Sequence, residues 1–201
     1  MNEIVHPSRM KLLEATLGLI REQGYAATTV DDICRRAGVS KGSFFHHFKS
    51  KEELILGAVG HWNGFTTDVF EQAPYQALGD PRDRILGYVD FRMAILDFEV
   101  PEFTCLLGTL VQETYQSHPA IREACDLGMS SHIARLAADL DLARTRYAAD
   151  AAWTAESVGY FIQAVLQGSF IFAKAKLGAE TARENLRHLR RYLETILPAT
   201  S

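Results

Sequence analysis

A very short turn inside the stretch from Thr29 to Lys51 leaves few possible folds for this chain. Thr29 can cap a helix, because its hydroxyl can accept a hydrogen bond from an unpaired amide of the first turn. Apolar residues then recur at helical spacing up to Ala37, and Gly38 stands where a helix can end in the left-handed conformation. Ser40 can cap a second helix almost at once. So short a connection predicts a helix-turn-helix, in which the second helix is presented to the major groove of DNA.

The second helix of this motif starts directly after its cap and is predicted to end at Phe48. Phe44 and Phe48 are one helical turn apart and face inward, which leaves the other side chains for an outside partner. Gly42 is unfavourable in an exposed helix by about 1 kcal/mol relative to alanine. A glycine here is understandable if a partner comes close to the backbone, although a fraying first turn is an alternative. Lys49 and Lys51 follow as cations suited to phosphate contacts.

Residues 28–54, TTVDDICRRAGVSKGSFFHHFKSKEEL, resemble the DNA-binding segment of the TetR family of bacterial transcriptional regulators. The shared pattern is Thr-Val, an isoleucine, Ala-Gly-Val-Ser, a glycine in the second helix, an aromatic residue, His-Phe and Ser-Lys-Glu-x-Leu. With the preceding helix, the resemblance covers about the first quarter of the chain. It implies an all-α fold of about nine helices. An N-terminal three-helix helix-turn-helix domain, residues 1–51, would precede a larger helical ligand-binding and dimerisation domain, residues 52–201.

The resemblance also implies which residues contact double-stranded operator DNA. Residues at the edges of the motif bind phosphate, and those early in its second helix face the bases. The family more often has tyrosine where this chain has Phe45, so a phosphate bond is lost and the ring can stack on a sugar or a thymine methyl instead. The implied phosphate contacts are Thr29, His47 and Lys51, and the remaining DNA-binding positions are Lys41, Gly42, Ser43, Phe45 and His46.

The distribution of charge supports DNA binding by the N-terminal part of the chain. The whole sequence has 21 Lys and Arg against 25 Asp and Glu, and this net charge of −4 alone argues against a nucleic-acid binder. Residues 1–51 nonetheless hold eight Lys or Arg against five Asp or Glu, a net of +3, and the remainder holds thirteen against twenty. The basic excess is therefore local to the helix-turn-helix, where it can displace counterions from DNA phosphates.

The rest of the sequence reads as helices, and its composition of 47% hydrophobic and 23% charged residues is that of a globular protein. Ser8 and Ser50 are expected to cap the first and fourth helices. Pro101 is expected to end the fifth helix and Gly178 the eighth. The predicted helices span residues 8–23, 30–37, 41–48, 51–72, 82–98, 102–116, about 119–141, 150–177 and 179–197.

The last two predicted helices carry more apolar surface than one packed side can cover. A helix that is apolar on more than one side must be buried on more than one side. Two helices from each of two chains would form a four-helix bundle, the usual dimer interface of TetR-like proteins, and a twofold dimer can read a palindrome. A purely intrachain core is the alternative. The predicted interface residues are Val165, Phe170, Leu186, Leu189 and Leu193.

The central helices interleave aromatic and polar side chains, as an apolar pocket with a few polar groups would require. Aromatic residues at helical spacing are more often plain core, so the prediction of an inducer pocket rests mainly on the family resemblance. The inducer itself cannot be identified from the sequence. The residues predicted to bind it are Trp62, Phe65, Phe91, Met93, Phe98, Phe103, Cys105, Thr109, Gln112, Trp153 and Phe161.

The function implied by the resemblance is that of a repressor, which binds a palindromic operator as a homodimer and is released by a small-molecule inducer. Two alternatives remain open. One is a DNA-binding dimer whose C-terminal domain only dimerises, and the other is an electrophile or redox sensor acting through Cys105. The adjacent histidines do not have metal-ligand spacing, and the sequence has no phosphate-binding loop or zinc pattern. We therefore expect no enzymatic activity, metal or cofactor.

Three widely spaced cysteines, Cys34, Cys105 and Cys125, suit reduced thiols rather than a disulfide framework. No apolar run approaches the roughly 20 residues of a membrane span. Residues 1–11 lack the apolar stretch of a signal peptide. We therefore expect a cytoplasmic protein that makes no membrane contact.

Overall fold

A computed structural model describes residues 6–199, and in that range the chain is entirely helical apart from its connections. These residues contain ten α-helices and one 3₁₀ turn without any strand, which confirms the predicted all-α fold. No helix among them combines the length and apolar character needed to cross a membrane. The helices are α1 (Pro7–Ala27), α2 (Val30–Ala37), α3 (Lys41–His47), α4 (Lys51–Glu71), α5 (Pro81–Ile95), α6 (Val100–Phe103), α7 (Leu106–Thr114), α8 (Pro119–Tyr147), α9 (Ala155–Lys176) and α10 (Glu180–Ile196), and the 3₁₀ turn is Pro74–Ala77.

The helices pack into two compact units. The first unit holds the described residues up to Thr67 together with Cys105–Met129. The second unit holds Asp68–Thr104 and the residues from Ser130 onward. The predicted division after residue 51 separates DNA reading from ligand binding, and this functional boundary stays a prediction. The predicted DNA-binding domain includes residues 1–5, and so does the segment expected to lack a signal peptide. These five residues lie outside the described range.

The core of the first unit lies beneath the helix-turn-helix. α1 packs against α2, α3 and α7. Phe44 and Phe48 of the second helix of the motif are 0% and 2% exposed, which confirms that they face inward. Burial of a phenylalanine side chain contributes about 1.5–3 kcal/mol, so these two residues hold α3 firmly on the unit. The apolar stripe of α1 that they join consists of Leu12, Leu13, Leu17, Leu19 and Ile20.

Hydrogen bonds at the helix ends explain where the helices of the motif begin and end. The Thr29 hydroxyl accepts from the Asp32 amide at 3.1 Å, and the Asp32 carboxylate accepts from the Thr29 amide at 3.1 Å. The Ser40 hydroxyl accepts from the Ser43 amide at 3.1 Å and caps α3. Gly38 ends α2 in the left-handed conformation, with φ of 64°. The predicted caps at Thr29, Gly38 and Ser40 are therefore confirmed.

Two predicted helix starts are wrong, because another residue provides the cap. The first helix begins before Ser8, since Nδ1 of His6 accepts from the Ser8 amide at 3.3 Å. α9 begins at Ala155, several residues later than predicted. There the Ser157 amide donates to the Thr154 hydroxyl at 3.1 Å, and the Thr154 amide donates back to the Ser157 hydroxyl at 3.2 Å.

The predicted sixth helix, residues 102–116, is two helices in the structure. Thr104 and Cys105 both have extended backbone angles, which no helix can contain. The Thr104 amide closes the four-residue α6 by donating to the Val100 carbonyl at 3.3 Å. Cys105 is therefore the N-cap residue of α7, and it lies outside the helix in which the sequence pattern placed it.

Several helices end at other residues than predicted. α5 ends at Ile95 instead of residue 98, and Pro101, which was expected to end it, lies within α6. α8 continues to Tyr147 instead of ending near residue 141, because the intervening leucine, alanine and arginine residues favour the helix. After α9 the left-handed residue is Leu177, with φ of 52°, and not Gly178. The Gly178 amide then donates to the Ala173 carbonyl at 3.0 Å, which completes the C-terminal cap.

A carboxylate closes the junction at which α1 leaves helical geometry. Gly24 has φ of 86° and ψ of 173°, a conformation that is open essentially to glycine alone. The amides of Tyr25 and Ala26 then donate to the two carboxylate oxygens of Glu113 at 3.1 and 2.8 Å. The Lys51 ammonium donates to the Tyr25 carbonyl at 2.7 Å and lies 3.8 Å from the centre of the Tyr25 ring. One side chain of α7 and one of α4 therefore fix the end of α1.

The second unit contains a partly buried hydrogen-bonded chain of side chains. The Tyr88 ring is 1% exposed, and its hydroxyl hydrogen-bonds with Nε2 of His132 at 3.0 Å and accepts from the Gln163 amide at 3.1 Å. Burial, together with the positive charges of Arg92 and Arg135, lowers the pKa of His132 to about 3. The imidazole is therefore neutral at ordinary pH. α10 packs against α9 and α5 around this centre.

We expect Gly24→Ala to lower the free energy of unfolding by about 1–3 kcal/mol. An added Cβ would stand 2.2 Å from a carboxylate oxygen of Glu113 and displace it from the two amides, besides straining the backbone. Gly60→Ala in α4 is the matched control, because no described neighbour lies within 4 Å of its added Cβ. That change should stabilise by about 0.5–1 kcal/mol. Urea unfolding measures the stability of both variants. Unchanged stability of Gly24→Ala would contradict the role of the contact between Gly24 and Glu113.

The low pKa of His132 makes the stability of the protein sensitive to acid. The unfolded chain binds a proton at this residue near pH 6.5, whereas the folded chain does not do so until about pH 3. Stability is therefore lost as pH falls through this window, by up to about 1.4 kcal/mol per pH unit. We expect His132→Gln, which can keep a hydrogen bond to Tyr88, to lose less stability between about pH 6.5 and 5.

Urea unfolding at several pH values measures this slope. His46→Gln is the control, because the His46 side chain is exposed on α3 and should leave the slope unchanged. Parallel pH profiles for the wild type and His132→Gln would show that His132 does not stay neutral in the folded protein.

Candidate functional site

α3 presents a polar and aromatic face to the outside of the first unit. Phe44 and Phe48 anchor the opposite face, and Phe45 is 61% exposed with its ring edge-on to Phe44 at 5.0 Å. Thr29 is exposed at the start of the preceding helix. The structure therefore places these predicted DNA-binding residues on one accessible motif. Of the others on α3, Lys41, Gly42 and His46 are exposed and Ser43 and His47 are half-buried.

Lys41 forms an ion pair that a partner can replace. Its ammonium lies 2.7 Å from the Asp31 carboxylate, and the two side chains are 61% and 54% exposed. The hydrogen bond to Asp31 and the charge of its carboxylate raise the pKa of Lys41, so the amine is protonated at neutral pH. Because so exposed a pair contributes little to stability, the ammonium can exchange Asp31 for a base edge or a phosphate.

Gly42 is not required by packing inside the chain. An added Cβ would meet the Ser40 hydroxyl oxygen at 3.7 Å, which is an ordinary contact. Gly42 is not among the residues with positive φ. Glycine nevertheless weakens an exposed helix by about 1 kcal/mol. A bare backbone at this point of α3 is what the close approach of another molecule requires.

His47 connects the end of α3 to the start of α1. Its Nε2 hydrogen-bonds with the Ser8 hydroxyl at 2.6 Å, and the same hydroxyl hydrogen-bonds with Nδ1 of His6 at 2.8 Å. Burial, and then the charges of His46, His6 and Arg9, lower the pKa of His47. Nδ1 of His47 takes no part in these hydrogen bonds, and it can donate to a phosphate when it carries a proton. The sequence pattern did not reveal this link, because the contact joins residues 39 positions apart.

Lys51 differs from the other predicted phosphate contacts, because its ammonium is already bonded within the chain. It is partly buried and donates to the Tyr25 carbonyl, and burial lowers its pKa. An ammonium has three protons, so two remain for a phosphate. Removal of Lys51 would therefore loosen the end of α1 as well as remove a charge. Lys49 is exposed and offers a cation without this structural role.

The predicted inducer-binding residues are divided between the two units. In the first unit, Trp62 is half-buried and its ring lies 6.4 Å from that of Phe65, which is 54% exposed. The Thr109 hydroxyl donates to the Cys105 carbonyl at 3.0 Å. The Gln112 amide also donates to a backbone carbonyl of α7, at 2.7 Å. The polar side chains predicted to meet a ligand therefore bond to their own helix in this structure.

In the second unit, two of the predicted residues join a cluster of aromatic side chains. The Phe91 ring lies 5.7 Å from that of Phe70, and the Phe103 ring lies 6.1 Å from that of Phe170. The structure does not pair the other predicted residues of this unit with these rings. They are Met93 and Trp153, which are half-buried, and Phe98 and Phe161, which are exposed.

α9 and α10 form an apolar groove of about 430 Å³ on the second unit. Phe161, Phe172 and Tyr192 line it and are 43%, 51% and 41% exposed. The Phe161 ring lies 5.0 Å from that of Tyr192, so this predicted inducer contact belongs to the groove. Gly168 leaves the groove open, since no described atom lies within 4 Å of an added Cβ there. The other lining residues are Ala164, Val165, Ser169, Asn185, His188 and Leu189.

Burial corrects the set of predicted dimer residues. Phe170, Leu186 and Leu193 are 5%, 1% and 0% exposed within a single chain, so they are not available to a second one. They lie on the inward faces of α9 and α10, where the two helices pack against each other and α10 packs against α5. Leu189 lies at the groove but is 2% exposed, and Val165 is half-buried. The outward apolar face is the groove.

Residues 12–58 match the protein-family model described as bacterial regulatory proteins, tetR family. Over 155 residues the chain is 26% identical to the uncharacterized HTH-type transcriptional regulator YerO of Bacillus subtilis, covering 71% of this chain and 52% of that protein. Over 51 residues it is 47% identical to the HTH-type transcriptional repressor KstR2 of Mycobacterium tuberculosis, covering 25% of this chain and 26% of that protein. The chain thus spans about half the length of the first relative and about a quarter of the second.

A solved structure, the regulatory protein TetR from Rhodobacter sphaeroides, shares the fold of nearly the whole chain. The two match with a TM-score of 0.83 at 22% identity, over 93% of this chain and 99% of that one. The family model, the relatives and this fold agree with the helix-turn-helix geometry described above. Residues 12–58, which include the helix-turn-helix, therefore belong to the tetR family of bacterial regulatory proteins, and the chain as a whole shares the fold of a solved regulatory protein TetR.

Proposed function

We propose that the protein is a DNA-binding transcriptional regulator, a repressor that binds a palindromic operator as a homodimer and is released by a small-molecule inducer. The observation that carries this proposal is the outward face of α3, where Lys41, Phe45 and an open backbone at Gly42 stand over a buried anchor. The relatives are named as transcriptional regulators and repressors, which supports a role without enzymatic activity. The free thiols of Cys34, Cys105 and Cys125 agree with a cytoplasmic location.

In this proposal α3 enters the major groove and the surrounding residues hold the backbone of the DNA. Lys41 and Ser43 face base edges, since they lie in the first turn of the helix. Thr29, His47 and Lys51 contact phosphates and set the register. The exposed ring of Phe45 stacks on a sugar or a thymine methyl. His46, exposed at the end of α3, completes the surface.

A second copy of the chain is the proposed occupant of the α9–α10 groove. The groove exposes three large aromatic side chains and a glycine, and such a surface is typical of a buried interface. A twofold axis brings the same face of each chain together, so that one apolar groove is covered by another. The dimer then presents two copies of α3, which can read half-sites about one DNA turn, 34–36 Å, or a multiple of it apart.

The proposed inducer acts on the junction at Gly24. α7 carries the predicted ligand residues Thr109 and Gln112, and the next residue, Glu113, bonds the two amides that precede α2. A shift of α7 therefore changes the end of α1 and the placement of the helix-turn-helix. The inducer must bind the arrangement that cannot bind DNA more tightly, because equal affinity shifts nothing. Operator DNA must then weaken inducer binding by the same factor.

We do not favour the alternative in which Cys105 senses electrophiles. Cys105 is half-buried and packs against the apolar core of the first unit. The nearby thiol of Cys125 is fully buried, and burial raises its pKa to about 12. A packing role accounts for both residues. A dimer that takes no ligand remains the other alternative, and it is the correct one if no small molecule changes DNA affinity.

Selection of bound duplexes from a random-sequence DNA library tests the proposed function and supplies the operator. We expect a palindrome to be enriched, and Lys41→Ala to weaken binding to it by about tenfold or more while hardly affecting a scrambled duplex. Lys49→Ala is the matched control, which should weaken binding to both duplexes alike and reduce the salt slope by about 1. Equal losses of affinity for the palindrome and the scrambled duplex in Lys41→Ala would contradict base reading by Lys41. A selection that enriches no sequence would contradict the proposed DNA-binding function.

The proposed dimer predicts different outcomes for two charged substitutions. Wild type should scatter light as a species of about twice 22.4 kDa. Phe172→Glu should give a folded monomer, because that side chain is 51% exposed in one chain. Leu186→Glu should unfold or aggregate, because it buries an unpaired charge. Phe98→Glu is the control, since Phe98 is 63% exposed outside the groove and should leave the dimer intact. A dimeric Phe172→Glu would place the interface elsewhere.

A further inference from the structure

Arg92 of α5 carries a positive charge that no carboxylate of the described chain balances. Its guanidinium carbon lies 5.2 Å from the centre of the Phe70 ring and 5.4 Å from that of the Phe170 ring. Among residues 6–199, its side chain has no hydrogen-bond or ion-pair partner. A guanidinium stays protonated at any ordinary pH and offers five N–H donors, and neither phenylalanine supplies an oxygen to accept them.

Three carboxylates on or near α5 are paired with other arginines. The distance between the arginine nitrogen and the carboxylate oxygen is 2.8 Å for Asp90, 2.7 Å for Asp97 and 2.5 Å for Asp139. Each of these pairs is complete without Arg92, so the positive charge at Arg92 is not cancelled by rearranging a neighbour. The partners of the three carboxylates are Arg190, Arg183 and Arg84 respectively.

Aromatic side chains flank Arg92. Phe70 lies 5.6 Å from Tyr88 and 5.7 Å from Phe91, measured between ring centres. His132, whose ring lies 4.8 Å from that of Phe70, is neutral because burial and nearby arginines lower its pKa. Arg92 is half-buried, so a hydrogen bond between its guanidinium and an anion meets less competition from water there than at an exposed surface.

We propose that Arg92 anchors the carboxylate of an organic acid, whose apolar body packs on the aromatic side chains of the second unit. The planar guanidinium can donate two parallel hydrogen bonds to a carboxylate, and this geometry selects the acid over a neutral analogue of the same shape. The half-buried ring of Phe91 supplies apolar area for the rest of the molecule, while the buried rings of Phe70 and Phe170 flank the guanidinium. The inference rests on the proposed ligand-binding role and names the chemical class of the inducer.

The competing explanation is that Arg92 only links two phenylalanine rings through cation–π contacts. Such contacts stabilise a fold without any ligand. That explanation predicts no response to organic acids, or the same response to acids and to their amides.

The experiment measures the melting temperature of the full chain with octanoate or cinnamate, and with the matched amides octanamide and cinnamamide. We expect at least one of the two acids to raise the melting temperature by at least about 2 °C and its amide to leave it unchanged. Arg92→Gln should lose this response, and Arg92→Lys should keep a weakened one, because it retains the charge without the planar fork. Arg191→Gln, at an exposed arginine of α10, is the control and should respond as the wild type does.

Circular dichroism of each variant shows that the fold is retained, and calorimetric titration of the wild type and Arg92→Lys gives the affinities if Arg92→Gln does not fold. The proposal is overturned if neither acid shifts the wild type, if the amides act equally, or if a folded Arg92→Gln still responds. Binding to the selected DNA is measured in the same samples. DNA binding without an acid response defeats only this inference, whereas an acid response without sequence-selective DNA binding defeats only the proposed function.

Discussion

The carboxylate of Glu113 satisfies two backbone amides at the end of α1, and the position of the helix-turn-helix depends on this contact. Gly24 interrupts the helix, so the amides of Tyr25 and Ala26, which begin the helical turn that follows, need acceptors outside the regular helix. The space taken by the carboxylate is the space that a Cβ at position 24 would occupy. Glycine and glutamate are therefore required together, and α7 becomes part of the support of the DNA-reading motif.

The two outward faces of the protein differ in the kind of partner that can cover them. The face of α3 carries a lysine, histidines and a bare backbone, and its charge is already balanced weakly by Asp31. Such a surface suits a polyanion such as DNA, because a phosphate can take the place of the exposed Asp31 carboxylate at little cost in free energy. The groove of α9 and α10 exposes aromatic rings, and water contact with them is unfavourable. A second apolar face would remove that contact, and in the proposed dimer a twofold axis supplies it from an identical chain.

Charge in the second unit is distributed unevenly between its surface and its aromatic centre. The acidic residues of α5 and α8 pair with arginines near the surface, whereas Arg92 lies among aromatic rings without an anion. A partly desolvated cation is more costly than an exposed one, so an anion that enters there gains more than it would at the surface. His132 avoids the same cost by losing its proton. Arginine cannot do so, and its charge remains available to a ligand.

The sequence by itself determined the helix-turn-helix and its inward phenylalanines. Thr29, Gly38 and Ser40 cap helices through bonds to residues within a few positions, so the sequence pattern contains both partners. The other helix caps are harder to predict, because several residues near each helix start can serve as the cap. The sequence pattern points to Ser8 instead of His6 and does not indicate Thr154. Only the tertiary structure decided that Glu113 meets Tyr25, and that Leu186 and Leu193 face inward while Phe172 faces outward. It also decided that Arg92 pairs with no carboxylate of residues 6–199. These contacts join helices far apart in sequence, and helical periodicity shows that a face is apolar without showing what covers it.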